Sequence, residues 1–193
     1  AYFLDANLWC LVLLRMANLS AEHGNCDGSC YAYSFMNIVV GARFGNYRAG
    51  SRFGQLSLDL IEKKGLERFK ARVYCGCART VIPWAQHIRA GVPLLRRSLE
   101  TALETGDQTY AAIAHCDLVS NRLSSADPLA EVQLEAESAL EFAQKARFGP
   151  VVDIATGQLG FIRTVRGLTR EFGSFGYDGF DEGCFEQHLE ASP

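Results

Sequence analysis

The chain has 193 residues, of which 48% are hydrophobic and 21% are charged, and its formal net charge at neutral pH is −3. This composition is ordinary for a globular protein, and the negative balance gives no general attraction to nucleic acid or to anionic membranes. No apolar run approaches the ~20 residues that span a bilayer, and no basic segment precedes the first apolar run as it would in a signal peptide. We therefore expect a cytoplasmic protein that has neither a nucleic-acid nor a membrane partner.

Apolar residues recur at helical spacing along most of the chain, and the alternation typical of half-buried strands is absent. Pro83 should kink or end the helix that contains it. Asp127 and Pro128 form a helix start signal, with aspartate as the cap and proline in the first turn. The predicted helices lie at about residues 5–22, 30–44, 47–64, 69–84, from 91–93 onward, 108–123, 127–143 and 151–167.

The stretch 41–54 has the G-x-x-x-x-G frame of a phosphate-binding loop between Gly45 and Gly50. A P-loop needs a strand before it and a lysine directly after its second glycine. Here a helical pattern precedes the stretch, and Ser51 and Arg52 follow Gly50. We therefore predict that Gly45 lies in a turn between antiparallel helices. Gly50 and Gly54 should lie on one helix face, where they let a neighbouring helix approach closely.

Glycines punctuate the chain at a nearly constant interval: Gly24, Gly65 and Gly106 are 41 residues apart, and Gly149 follows 43 residues later. Each follows an apolar-periodic segment, where glycine can close a helix in the left-handed conformation. A step of 41 also aligns residues of similar size, and we expect the three leucines of the last set to be buried equivalents. The aligned sets are Tyr47, Ile88 and Leu129; Ala32, Val73 and Ala114; Met36, Cys77 and Leu118; Ser57, Ser98 and Ala139; and Leu58, Leu99 and Leu140.

This period predicts an all-α fold, an α-solenoid of antiparallel helix pairs with a repeat of about 41 residues. The repeats cover residues 1–168, with units at about 25–65, 66–106 and 107–149 and partial units on either side. Residues 169–193 form an aromatic and acidic tail or linker, which we expect to be anchored by four aromatic side chains and to contain a short helix at 181–189. The four anchors are Phe172, Phe175, Phe180 and Phe185. Because the chain opens on Ala1, we interpret it as a fragment of a longer protein.

Seven cysteines are spread through the helical patterns, and an odd number of this kind is typical of reduced thiols. Cys75 and Cys77 are close in sequence, but they would point to different faces of one helix. Cys26 and Cys30 lack a second pair at zinc-site spacing. We therefore expect no metal, no disulfide and no cofactor in this fragment.

Two groups of residues are candidates for an interaction groove. Tyr33, Tyr74 and His115 are 41 apart, so they either line a concave face or fill equivalent packing positions. Four arginines on predicted first helices either form a ladder for an acidic peptide or a neighbouring domain, or lie on a solvated face balanced by glutamates. The arginines are Arg72, Arg79, Arg122 and Arg163, and the glutamates are Glu62, Glu67 and Glu104. No arrangement of carboxylates suggests a catalytic pair.

Several motifs together resemble the tetratricopeptide-like helical region of large bacterial multidomain signalling proteins, over about residues 8–190. The motifs are GNY at 45–47, FGQL at 53–56, LERFKARV at 66–73, PW at 83–84, LLRR at 94–97, LETGDQTY at 103–110 and FGSF at 172–175. In that family a serine/threonine-kinase-like domain and a STAND-type (AAA-like) predicted ATPase precede the helical region, and GAF or PAS sensors and a histidine kinase follow it.

The resemblance implies that the parent chain binds ATP and is a protein kinase or histidine kinase, while this fragment is not an enzyme. None of the family's nucleotide or phosphoacceptor motifs occurs in the 193 residues. The implied function is a scaffold or relay that contacts neighbouring domains of the parent chain or a protein or peptide partner. The alternative is a ligand-sensing solenoid that binds a small molecule or peptide in its concave face and gates the adjoining ATPase.

Overall fold

A computed structural model describes residues 5–171 and 173–191 of the chain. Regular secondary structure in this part is helical, apart from one isolated bridge between Tyr177 and Phe180, so the all-α prediction is confirmed. None of these helices is long and apolar enough to cross a membrane. The elements are α1 (Ala6–His23), α2 (Asp27–Asn37), a π-helical turn (Ile38–Arg43), α3 (Tyr47–Lys63), α4 (Lys70–Thr80), α5 (Ile82–Ala85), a 3-10 turn (Ile88–Ala90), α6 (Gly91–Thr105), α7 (Gln108–Ser124), α8 (Leu129–Lys145), α9 (Gly149–Val165) and α10 (Glu182–Ala191).

The chain forms two compact units, residues 1–114 and residues 115–193, and the division falls inside α7. The described residues of unit 1 include two apolar clusters. In the first, Trp9 and Leu13 of α1 pack with Phe35 of α2. In the second, Val73 and Tyr74 of α4 join buried side chains of α2 and α3. Burial of these stripes stabilises the helices, because isolated helices of this length are marginal in water.

Unit 2 is built on a cluster shared by α7, α8 and α9, with Val119, Val132 and Leu159 among its buried members. The tail packs on α9: a Cβ atom on Gly160 would lie 3.1 Å from the Phe175 ring. The predicted tail helix is present as α10, shifted by one to two residues from the prediction. Phe180 stacks on Tyr177 with ring centroids 5.1 Å apart, and it lies 5.4 Å from the Phe185 ring. The remaining predicted anchor, Phe172, lies outside the described residues.

Helix boundaries follow the predicted glycine punctuation in three of four places. Gly24, Gly65 and Gly106 have φ of 95°, 69° and 71° and follow α1, α3 and α6. The prediction for Gly149 is wrong, because Gly149 is the first residue of α9 and Arg147 adopts the left-handed conformation with φ of 53°. Left-handed backbone costs about 1–2 kcal/mol for a residue with a Cβ atom.

The glycine-rich stretch is a joint between helices, as predicted. Gly45 has φ of 70° and lies in the turn before α3. A Cβ atom on Gly50 would lie 1.9 Å from Asn37 Oδ1 and 2.8 Å from Asn37 Cα, and one on Gly54 would lie 2.6 Å from Val81 Cγ2. Only glycine therefore permits the observed contact of α3 with its neighbours.

The buried side chain of Asn37 joins the end of α2 to the end of α4. Its Nδ2 donates a hydrogen bond to the carbonyl oxygen of Thr80, the last residue of α4. That carbonyl is free because the N–H of Trp84 bonds to the carbonyl of Val81 instead. The predicted helix 69–84 is accordingly split into α4 and α5, with Pro83 in α5, which confirms that proline ends the longer helix.

Two sequence expectations need correction. Leu58 and Leu140 are only half-buried, whereas Leu99 is buried. The small residues beside them are the most buried: Ser57, Ser98 and Ala139 each have no exposed surface. The helix contacts therefore include these small residues, as where the Ser98 hydroxyl donates to the carbonyl oxygen of Ala71, whereas Leu58 and Leu140 keep part of their surface exposed. At the start of α8 the cap residue is Pro128 rather than Asp127, one position later than predicted.

We expect Gly50→Ala to lower the free energy of unfolding by about 1–3 kcal/mol or more, as overpacking does in well-packed cores. The new Cβ atom would meet the backbone of Asn37, which cannot rotate away. Gly157→Ala is the matched control, because a Cβ atom at this α9 position would have no neighbouring atom within 4 Å. It should raise the free energy of unfolding by about 0.5–1 kcal/mol through helix propensity. Urea denaturation measures both, and equal effects would contradict the packing described here.

Candidate interaction surfaces

The three residues of the predicted aromatic slot lie in the protein interior. Tyr33, Tyr74 and His115 are exposed by 5%, 0% and 9%. The Tyr33 hydroxyl donates a hydrogen bond to Asn25 Oδ1 at 2.9 Å. The His115 ring lies 5.1 Å from the Phe142 ring. In this structure all three side chains fill space between helices.

Arg72 of α4 is bound at the start of α7. Its Nε donates to Asp107 Oδ2 at 2.9 Å, and its guanidinium lies over the rings of Phe69 and Tyr110, 5.7 Å and 5.0 Å from their centroids. Asp107 Oδ1 also accepts the Tyr110 N–H at 3.2 Å. Burial raises the pKa of the Tyr110 hydroxyl, which therefore stays protonated at physiological pH. Arg72 therefore connects α4 to the start of α7 within unit 1.

Beside Arg72 lies an open depression of about 550 Å³. Its lining is mostly polar and includes two arginines and one aspartate, and the aspartate is paired with Arg72. The lining residues are Arg68, Phe69, Arg72, Thr105, Gly106, Asp107, Gln108 and Thr109.

Arg122, near the end of α7, holds three carboxylates around the start of α8. Its Nε lies 2.9 Å from Asp127 Oδ2, its Nη2 lies 2.7 Å from Glu131 Oε2, and its Nη1 lies 3.3 Å from Glu135 Oε2. Only 15% of the Arg122 side chain is exposed. Hydrogen bonding to Asp127, and then to Glu131 and Glu135, raises the pKa of Arg122.

The other two predicted arginines differ from each other. Arg163 of α9 donates to Glu137 Oε1 at 3.1 Å, and its guanidinium lies 4.0 Å from the centroid of the Tyr177 ring. It borders an open depression of about 470 Å³. Arg79 is an exposed residue of α4. Lining residues of that depression are Gln133, Arg163, Leu168, Thr169, Arg170, Tyr177 and Asp178.

Two of the three predicted balancing glutamates pair with other cations. Glu62 pairs with Arg97 at 2.7 Å, and Glu67 pairs with Lys70 at 2.8 Å. Arg72 and Arg79 belong to unit 1, whereas Arg122 and Arg163 belong to unit 2. Arg72, Arg122 and Arg163 therefore each pair with a carboxylate of their own unit.

Sequence reasoning did not identify an exposed group of aromatic residues in unit 1. Tyr47, the first residue of α3, stacks on Trp84 of α5 with ring centroids 4.6 Å apart. Trp84 is 60% exposed, and Phe44, in the turn before α3, is 74% exposed. We call Phe44, Tyr47 and Trp84 the aromatic patch. Tyr47 and Trp84 belong to the sequence motifs at 45–47 and 83–84, but the spacing of these motifs did not indicate that the two rings are in contact.

Charge is unevenly divided along the chain. Residues 28–58 contain three arginines, and residues 68–99 contain seven lysines and arginines, yet neither segment has an aspartate or glutamate. Unit 1 as a whole has 13 basic and nine acidic side chains, whereas unit 2 has six basic and 13 acidic ones. The net value of −3 therefore conceals a basic unit 1.

All seven cysteines are free thiols, and Cys75 and Cys77 both lie on α4 as predicted. Burial raises the pKa of Cys77 to about 12. Cys26 and Cys184 are exposed. Hydrogen bonds from the Ser29 side chain and backbone lower the pKa of Cys26, whereas the hydrogen bond to Asp181 raises the pKa of Cys184. Within residues 5–171 and 173–191, no three His, Cys, Asp or Glu side chains are grouped as metal ligands would be.

No protein-family model matches the chain. No solved structure matches it either. The chain is 23% identical over 171 residues to Hybrid signal transduction histidine kinase G of Dictyostelium discoideum, an alignment that covers 86% of this chain. The alignment covers 5% of that relative, so the chain spans only a small part of the relative's length. That relative is by its name a signal transduction histidine kinase, and the assignment of this chain to a tetratricopeptide-like region stays a prediction.

We expect Arg122→Lys to lower the free energy of unfolding by about 1–3 kcal/mol, although the charge is kept. A lysine cannot reproduce the planar fork that reaches three carboxylates, and hydrogen bonds to charged groups contribute about this much. Arg170→Lys is the control in the same unit, because its pair with Asp178 is 68% and 100% exposed. It should change stability little. Chemical denaturation of both variants tests this, and equal losses would contradict a structural role for Arg122.

At neutral pH we expect iodoacetamide to alkylate Cys26 faster than Cys184, although both are exposed. A lowered pKa gives Cys26 the larger thiolate fraction below that pKa, and the thiolate is the nucleophile. The two rates should converge when the pH exceeds both pKa values. Peptide-resolved mass spectrometry measures each site. Ser29→Ala should slow Cys26 at neutral pH, and an unchanged rate would contradict the assigned hydrogen bonds.

Proposed function

We propose that this chain is a non-catalytic helical-repeat scaffold or relay module, tetratricopeptide-like in architecture, within a larger cytoplasmic signal-transduction protein. The parent would be an ATP-binding kinase, with ATP held outside these residues. The module would mediate contacts with neighbouring domains of that chain or with a protein partner. The similarity to a hybrid histidine kinase supports this context.

The observation that carries the proposal is matched burial at positions 41 residues apart. Ser57, Ser98 and Ala139, on α3, α6 and α8, are each fully buried. On the preceding helices, two further sets are exposed by 1% or less. They are Ala32, Val73 and Ala114, and Met36, Cys77 and Leu118. In a helical array each unit buries the same positions against its neighbour, so burial at this period supports a repeat.

The use of charged side chains also supports a scaffold. The predicted site arginines Arg72, Arg122 and Arg163 are each held in an ion pair and, in two cases, also lie over an aromatic ring. A catalytic site needs groups poised towards a substrate, with pKa values tuned to proton transfer. These pairs connect helices instead.

A ligand-sensing solenoid is the second candidate, favoured by the arginine-lined depressions beside Arg72 and Arg163. The two candidates differ in what small anionic ligands do. A sensing module would show a ligand-induced rise in melting temperature that disappears in Arg72→Ala or Arg163→Ala. A scaffold would show no such dependence across a panel of nucleotides, carboxylates and sugars.

The repeat architecture predicts equal behaviour at three equivalent positions. Ser57→Leu, Ser98→Leu and Ala139→Leu should each lower the free energy of unfolding by about 1–3 kcal/mol, because each adds bulk at a buried helix contact. Ser138→Leu, at the exposed neighbouring position on α8, should change it by less than about 0.5 kcal/mol. Urea denaturation gives all four values. If any of the three buried positions accepts leucine as Ser138 does, the 41-residue repeat is wrong.

A further inference from the structure

The aromatic patch is held in place before any partner arrives. The Tyr47 ring rests against the π-helical turn, where a Cβ atom on Gly41 would lie 2.8 Å from Tyr47 Cδ1. Trp84 lies shortly after the end of α4. The last carbonyl of α4, that of Thr80, accepts a hydrogen bond from Asn37. Trp and Tyr are enriched among the residues that carry binding energy at protein interfaces. A preorganised aromatic surface also loses little conformational entropy on binding.

The charges around the patch are one-sided. Arg48 lies in the first turn of α3, which has no acidic residue. A helix N-terminus is the positive end of the helix dipole, so a cation there is unfavourable for stability. Arg48 and Arg52 are both exposed, and neither forms an ion pair with any residue that the structure describes. The nearest guanidinium before them in sequence, that of Arg43, donates to the neutral Asn7 side chain at 2.9 Å.

We propose that the aromatic patch, together with Arg48 and Arg52, docks an acidic segment of a partner protein that also carries an aromatic or aliphatic side chain. The carboxylates of the segment would pair with the two guanidiniums, and its apolar side chain would pack on Trp84 and Tyr47. This proposal rests on the proposed scaffold function and adds the chemistry of the partner.

Two other occupants are less favoured. A second copy of this chain offers an acidic aromatic segment at residues 177–190, but its Phe180 and Phe185 rings are already packed on each other. Single-stranded nucleic acid also stacks on aromatic rings, but it requires a basic groove that follows the backbone over several nucleotides. Among the described residues of the segment that carries Phe44 and Tyr47, only Arg48 and Arg52 are exposed, unpaired arginines.

The test is selection of short random displayed peptides on the purified 193-residue chain, with counter-selection on Trp84→Ala. The enriched peptides should be net acidic and contain an aromatic or large aliphatic residue. Trp84→Ala and Arg48→Glu should each weaken a selected peptide by about tenfold or more, as for a central interface residue. Its affinity should also fall with added salt.

The matched controls lie elsewhere in unit 1. Leu11→Ala removes a side chain that is 63% exposed on α1, and Arg15→Glu makes the same charge change on the same helix. Both should leave peptide affinity within about twofold, because neither residue belongs to the proposed site. Arg48→Glu should raise the melting temperature, since it places an acid at the positive end of α3. Its loss of binding is then separable from unfolding.

Several outcomes would overturn the proposal: no enrichment over Trp84→Ala, enrichment of neutral or basic peptides, or equal loss in the control variants. Binding of an oligothymidylate that Trp84→Ala abolishes would assign the surface to nucleic acid instead. A dimer by light scattering that Trp84→Ala dissociates would assign it to a second copy. If these tests fail while the three buried-position leucine variants behave as expected, the docking site is wrong and the repeat scaffold stands.

Discussion

Close approach of helix backbones at small residues is the constraint on which the rest of the structure depends. Gly50 leaves space for Asn37, and Gly54 leaves space for Val81. Gly76, in the middle of α4, does the same: a Cβ atom there would lie 2.8 Å from Ser34 Oγ. Glycine inside a helix costs about 1 kcal/mol relative to alanine, so its presence here follows from packing. With α2, α3 and α4 in contact at these points, Asn37 reaches the end of α4 and Tyr47 reaches Trp84.

Backbone features were predictable from the sequence where one residue determines them locally. The turn at Gly45 and the helix break at Pro83 depend on conformations that few other residues adopt. The π-helical turn was not predictable from local signals, and the Asn37 side chain directly before it bonds to Thr80, 43 residues away. Arg147 shows the same limit: the chain reverses there in a conformation that its sequence gives no reason to expect.

Side-chain partners were harder to predict than positions. The sequence indicated Arg72 and Arg163 as candidate interaction residues, but not their partners, which lie 35 and 26 residues away across helix contacts. A long side chain on a helix can reach several neighbouring turns, and the sequence pattern does not distinguish them. The aromatic patch shows the converse, since two short motifs that were separately visible become one surface only when α3 and α5 are folded together.

The division of charge between the two units has a consequence for how the molecule behaves in bulk. The isoelectric point of the whole chain, about 5.8 from its sequence, does not describe the charge of either unit. At neutral pH, residues 1–114 present a cationic surface and residues 115–193 an anionic one. Opposite charges on different molecules attract, with a range set by the Debye length, about 30 Å at 0.01 M salt and about 8 Å at physiological ionic strength. We therefore expect attraction between molecules to be strongest in dilute buffer and to weaken as salt is added, even at a pH away from the isoelectric point.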